Sequence, residues 1–186
     1  MRNVLRLYIT FTYLMGSFLF ASYTHHSMGF SFNYYDSLYK QSISYIENEE
    51  LENSLILLDK IISKQRDYSD KDNALIMNAH YDLGQIYLTR AFNYDLAITH
   101  FEYIFNNIYS IYDSANSDLE IKSLPELKEK SLFMLGYIYH NHIGNFTLAQ
   151  NYYSIFLNKF PNSELCLSVD YELESINKEI LIFKNK

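Results

Sequence analysis

Residues 83–97 read LGQIYLTRAFNYDLA and residues 135–149 read LGYIYHNHIGNFTLA, so Leu, Gly, Ile, Tyr, Asn, Leu and Ala recur at an offset of 52. A fixed self-similarity on this scale marks a repeat architecture, in which each unit buries its apolar face only by stacking on its neighbours. Within each copy a Tyr follows the Gly by three residues (Tyr87, Tyr139), an Ala follows by thirteen (Ala97, Ala149), and an aromatic ring lies four beyond the Ala (Phe101, Tyr153). Small and large residues thus recur in one fixed order in both copies.

A weaker copy precedes these two: Ser42 stands for the Gly, Tyr45 follows three later, Ser54 stands for the Ala and Leu58 for the ring. Beyond the middle copy, Phe101, Ile104, Ile108 and Ile111 keep a 3, 4, 3 spacing that extends one apolar helix stripe to about Tyr112. The polar run 113–122, DSANSDLEIK, reads as a loop, and Ser123 with Glu126 forms a capping box for the helix after it. Asn93 and Asn145 are N-caps for the second helices of their pairs, so the Asn145-Phe146-Thr147 triplet reads as a cap rather than as a glycosylation acceptor. After Pro161, Asn162 or Ser163 caps a last helix. Its inward stripe is Cys166, Val169, Leu173, Ile176, Ile180 and Phe183, and its outer face carries Asp170, Glu172, Glu174, Lys178 and Glu179.

The Gly, Tyr, Ala and ring pattern resembles the tetratricopeptide repeat, a helix-turn-helix unit. Two departures stand out. Gly and Ala are one residue further apart than in that family, which places a slightly longer turn between them, and the first copy lacks both residues. The resemblance implies an all-α, right-handed solenoid of about three helix pairs, at about 34–66, 73–112 and 124–160, closed by a capping helix at about 163–183. It further implies an inner face made by the first helix of each pair, to which the family assigns positions three before, one after, and four and five after the Gly. Here these are Tyr81, Gln85, Leu88 and Thr89 in the middle pair, and Phe133, Tyr137, His140 and Asn141 in the third. Proteins with this face bind a protein or peptide. The stretch 151–176 also resembles repeat proteins of the bacterial periplasm, which adds a cell-wall polymer as an alternative ligand.

The first 22 residues carry a different signal. Arg2 and Arg6 precede an uncharged stretch from Leu7 to Ala21, and small residues at Ala21 and Ser22 offer cleavage positions. This is the layout of a signal peptide or, uncleaved, of a membrane anchor, followed by a flexible stretch at 23–33. It predicts an exported protein, periplasmic or anchored facing the periplasm.

Several chemistries are not expected. With 15 basic and 22 acidic residues the formal charge is −7, which gives no electrostatic reason to bind nucleic acid. The single Cys, Cys166, cannot form an intramolecular disulfide and lies on an apolar stripe, where it acts as a small hydrophobe. The Gly residues fall in no phosphate-binding spacing, and His25 with His26 or His140 with His142 lack the i, i+3 or i+4 spacing of a helical metal pair. Glu47, Glu49, Glu50 and Glu52 read as a solvated turn. No catalytic, cofactor or metal site is therefore expected, and the reading is a non-catalytic scaffold; a self-assembling structural protein and an enzyme with its site near the long loop are the alternatives.

Overall fold

The computed structural model describes residues 34–63, 70–112 and 123–184, with side chains described at 34–63, 74–107 and 124–184. The expected export segment, the stretch 23–33, His25 and His26, the loop 113–122, and the side chains of Ile108, Ile111 and Ser123 lie outside these residues. The described residues form seven α-helices: α1 (Tyr34–Glu47), α2 (Leu51–Ile62), α3 (Asp70–Thr89), α4 (Tyr94–Tyr112), α5 (Ser123–Ile138), α6 (Phe146–Lys159) and α7 (Cys166–Lys184). A π-helical segment, Tyr139–Ile143, continues α5. Each helix packs on the next in the chain, and α1 touches α3 while α3 touches α5, so the first helices of successive pairs lie side by side. This is the tetratricopeptide-like helical repeat that the sequence pattern implies.

The contact that sets each pair is between a small residue and a ring. A Cβ added at Gly84 would sit 2.8 Å from Cε1 and Cζ of Phe101, and one at Gly136 would sit 2.5 Å from Cε1 of Tyr153. Both distances are far inside van der Waals contact, so these rings occupy the room a side chain would need. Ala97, Ala149, Phe101 and Tyr153 are all fully buried. The first pair follows the same register without glycine: Ser42, Ser54 and Leu58 are fully buried, and the Ser42 hydroxyl donates to the Tyr39 carbonyl at 2.7 Å. Around this contact Leu38, Leu58, Ile61, Ile76, Ala79, Leu83 and Ile86 form one core, and Ala74, Met77, Ile104, Leu124 and Leu127 form a second between α3, α4 and α5.

The extra residue between Gly and Ala is found at the end of the first helix of the pair. In pair one, which has no extra residue, α1 closes with the Glu50 N–H on the Tyr45 carbonyl and the Glu49 N–H on the Ile46 carbonyl, a Schellman motif with Glu49 at φ 62°. In pairs two and three the closing bond reaches one residue further, from Asn93 N–H to Tyr87 O and from Asn145 N–H to Tyr139 O. The widened turn is seen in the Ala91 N–H bond to Ile86 O and in the π-helical Tyr139–Ile143. The left-handed residue that ends it is Phe92 at φ 52° in one pair and Gly144 at φ 72° in the other. Asn93 and Asn145 then cap α4 and α6, their side-chain oxygens accepting from Leu96 N–H at 3.2 Å and Leu148 N–H at 3.1 Å. At the last turn Ser163 Oγ accepts from Leu165 N–H at 3.0 Å ahead of α7.

A left-handed backbone costs a side-chain-bearing residue about 1 kcal/mol, and Phe92 is 67% exposed, so its ring returns little by burial. Phe92→Gly should therefore stabilise the fold by roughly 0.5–1 kcal/mol, while Gly144→Ala should destabilise it by about 1 kcal/mol. Thermal melts of the two variants measure this; shifts of the same sign would contradict the cap geometry.

Candidate functional site

The face formed by the first helices of the pairs is the candidate binding surface, and the structure divides its expected residues into two sets. Gln85, Leu88, Phe133 and His140 are buried. Tyr81 and Tyr137 are half-buried, and Thr89 and Asn141 are exposed. The buried members close contacts within the fold. Phe133 lies 6.1 Å, ring to ring, from Tyr153, and Gln85 Nε2 donates to the Tyr81 hydroxyl at 3.0 Å. Tyr81 meets Phe101 edge-on at 5.8 Å; burial pushes its hydroxyl pKa above the usual range. Thr89 Oγ1 donates back to the Gln85 carbonyl at 2.7 Å, as a helical Thr commonly does.

In the third pair α7 reaches this face. His140 Nδ1 lies 2.6 Å from Glu172 Oε2, His140 Nε2 lies 3.3 Å from Glu179 Oε1, and Asn141 Nδ2 donates to Glu172 Oε2 at 3.0 Å. Burial works against charge on His140, but the hydrogen bonds and negative charges of the two glutamates outweigh it and raise its pKa above the ordinary histidine value. Glu172 and Glu179 therefore do not belong with the solvated outer face of α7. Glu172 lies one turn from both Val169 and Ile176, so the core side of the helix takes it to His140. Cys166 is half-buried with its thiol donating to the Phe160 carbonyl at 3.2 Å. Phe183, expected on the inward stripe, is 65% exposed, although its ring still meets Phe146 at 6.1 Å.

Beside the lower edge of this face, His142 is stacked on Tyr94 at 4.2 Å and meets Tyr137 edge-on at 5.5 Å, which fixes the Tyr137 ring against the neighbouring pair. Burial lowers the His142 pKa. Two further polar contacts escaped the sequence reading. Tyr39 donates to Asp82 at 2.7 Å, joining α1 to α3, and burial raises the Asp82 carboxyl to about 7 against the opposing effect of that hydrogen bond. His80 and His100 face each other with Nδ1 atoms 2.9 Å apart, between the rings of Tyr103 and Tyr87. One imidazole must donate and the other accept, and burial holds both pKa values below the ordinary one. Among the described residues no cluster of three or more His, Cys, Asp or Glu side chains is arranged to hold a metal ion. Among them, too, no helix is long and apolar enough to cross a membrane.

The class defined by this fold is a helical-repeat protein. Residues 130–163, from inside α5 through α6 to the turn before α7, match the family model described as tetratricopeptide repeat, which supports that family for this chain. The match spans one repeat, the third, where Gly136, Ala149 and Tyr153 all follow the pattern. No curated protein and no solved structure matches the chain.

Because the folded His140 holds its proton more tightly than the unfolded one, its contribution to stability is complete below its unfolded pKa of about 6.5 and is lost as pH rises through the folded value. Glu172→Gln should lower the His140 titration midpoint seen by NMR. The melting-temperature gap between parent and variant should also narrow as pH rises from about 6 to about 9. An unchanged midpoint would remove the pairing from the account.

Proposed function

We propose that this chain is a non-catalytic scaffold that captures a protein or peptide segment across the row of first helices α1, α3 and α5. The observation that carries this reading is the side-by-side placement of α3 and α5, with Tyr81, Thr89, Tyr137 and Asn141 on the more accessible part of the expected inner face. A tyrosine offers a large apolar body and a polar tip with little side-chain entropy to lose, which suits an interface anchor. Gln85, Leu88, Phe133 and His140 act beneath these residues as their support. The match of residues 130–163 to the tetratricopeptide repeat favours protein or peptide over a small molecule as ligand. Arg2, Arg6 and the apolar stretch 7–21 favour export, and with it a partner in the cell envelope.

Crosslinking a tagged chain in its native cell identifies both the compartment and the partner. With that partner, the double variant Tyr81→Ala, Tyr137→Ala should bind more weakly by about 1 kcal/mol or more, while keeping the parent's helical circular dichroism. Full retention of binding in the folded double variant would exclude this face.

A further inference from the structure

The last helix of a repeat stack meets water on its outer side and is normally polar there. Helix α7 is not. Its inward face is anchored by the fully buried Val169 and Ile176, yet Leu167 is 81% exposed, Tyr171 51% and Leu181 58%. Between them, on the same outward line, stand Glu174 and Lys178, whose side chains are 71% and 72% exposed and form an i, i+4 ion pair at 3.3 Å.

Leu167, Tyr171, Glu174, Lys178 and Leu181 follow one another at spacings of 4, 3, 4 and 3. That is the seam spacing of a two-helix coiled coil, and the five residues span about 21 Å at 1.5 Å rise per residue. The order along the seam is apolar, acidic, basic, apolar. It is self-complementary in one direction only. If a second copy lies antiparallel, with the twofold axis crossing the seam midway between residues 174 and 178, Glu174 meets Lys178 of the second copy and Lys178 meets its Glu174. Tyr171 and Leu181 then close an apolar contact on either side of these two ion pairs. A parallel arrangement sets Glu174 on Glu174 and Lys178 on Lys178, and like charges repel. The twofold arrangement uses the same patch on both copies, as closed dimers do.

We infer that this chain forms a homodimer through antiparallel pairing of α7, with Tyr171 and Leu181 as the apolar contacts and Glu174 and Lys178 fixing direction and register. The pairing surface lies on the side of α7 opposite Val169 and Ile176, away from the row of first helices, so a dimer presents two copies of that row. Dimerisation does not depend on what the row binds.

The test is a charge exchange on the full chain, read by sedimentation velocity. The parent should sediment as a dimer. Glu174→Lys places lysine against lysine twice, Lys178→Glu places glutamate against glutamate twice, and each should raise the dimer Kd by about tenfold or more. Mixing the two variants restores both ion pairs, so the equimolar mixture should form a heterodimer. The double variant Glu174→Lys, Lys178→Glu should again form a homodimer. Both positions are exposed, so all variants should keep the parent's helical circular dichroism. A monomeric parent, single variants that associate as the parent does, or a mixture that stays monomeric would each overturn the antiparallel interface.

Discussion

The fold depends on the approach of a helix backbone to an aromatic ring. At Gly84 and Gly136 the first helix of a pair comes so near to Phe101 and Tyr153 on the second that a single added carbon would overlap the ring. Burying such a ring contributes about 2–3 kcal/mol, and the missing side chain lets the helices close without a void. The ring in turn fixes which residues of the first helix point away from its partner. The row of first helices, and with it the candidate binding face, is a consequence of that one packing register.

The same constraint explains where the chain tolerates irregularity. The residue added between Gly and Ala could not be absorbed within the packed faces of the two helices without moving the glycine off the ring. It is taken up as a widened last turn, π-helical in the third pair, that ends at a left-handed residue and leaves the following cap intact. Pair one, with serines in place of glycine and alanine, keeps the narrower turn and a leucine where the others have a ring. A serine larger than glycine is matched by a leucine smaller than the rings, and the register is preserved.

Much of this was legible in the residue order because the decisive contacts are short-range. Gly84, Ala97 and Phe101 lie within 17 positions of one another, and their sizes alone state which surfaces touch. The caps at Asn93 and Asn145 are more local still. The polar contacts were hidden for the opposite reason. His140 and Glu172 are 32 positions apart, and whether Glu172 joins the inward or outward side of α7 depends on a few tens of degrees of helix rotation. The facing His80 and His100 depend likewise on how α3 and α4 align. The family's rule for inner-face residues names positions on α3 and α5, but burial of Leu88 and Phe133 depends on how tightly neighbouring pairs stack, which no single repeat encodes.

The most direct measurement of the central contact is a double-mutant cycle between Gly136→Ala and Tyr153→Leu, read as unfolding free energies. If the glycine exists to admit the ring, the methyl group should be costly beside tyrosine, by about 2 kcal/mol, and much less so beside leucine, which leaves space for it. The two changes together should then be less damaging than their sum by 1 kcal/mol or more, at about the level expected of residues in direct contact. Additive effects would show that Gly136 and Tyr153 do not share the contact on which the repeat register rests.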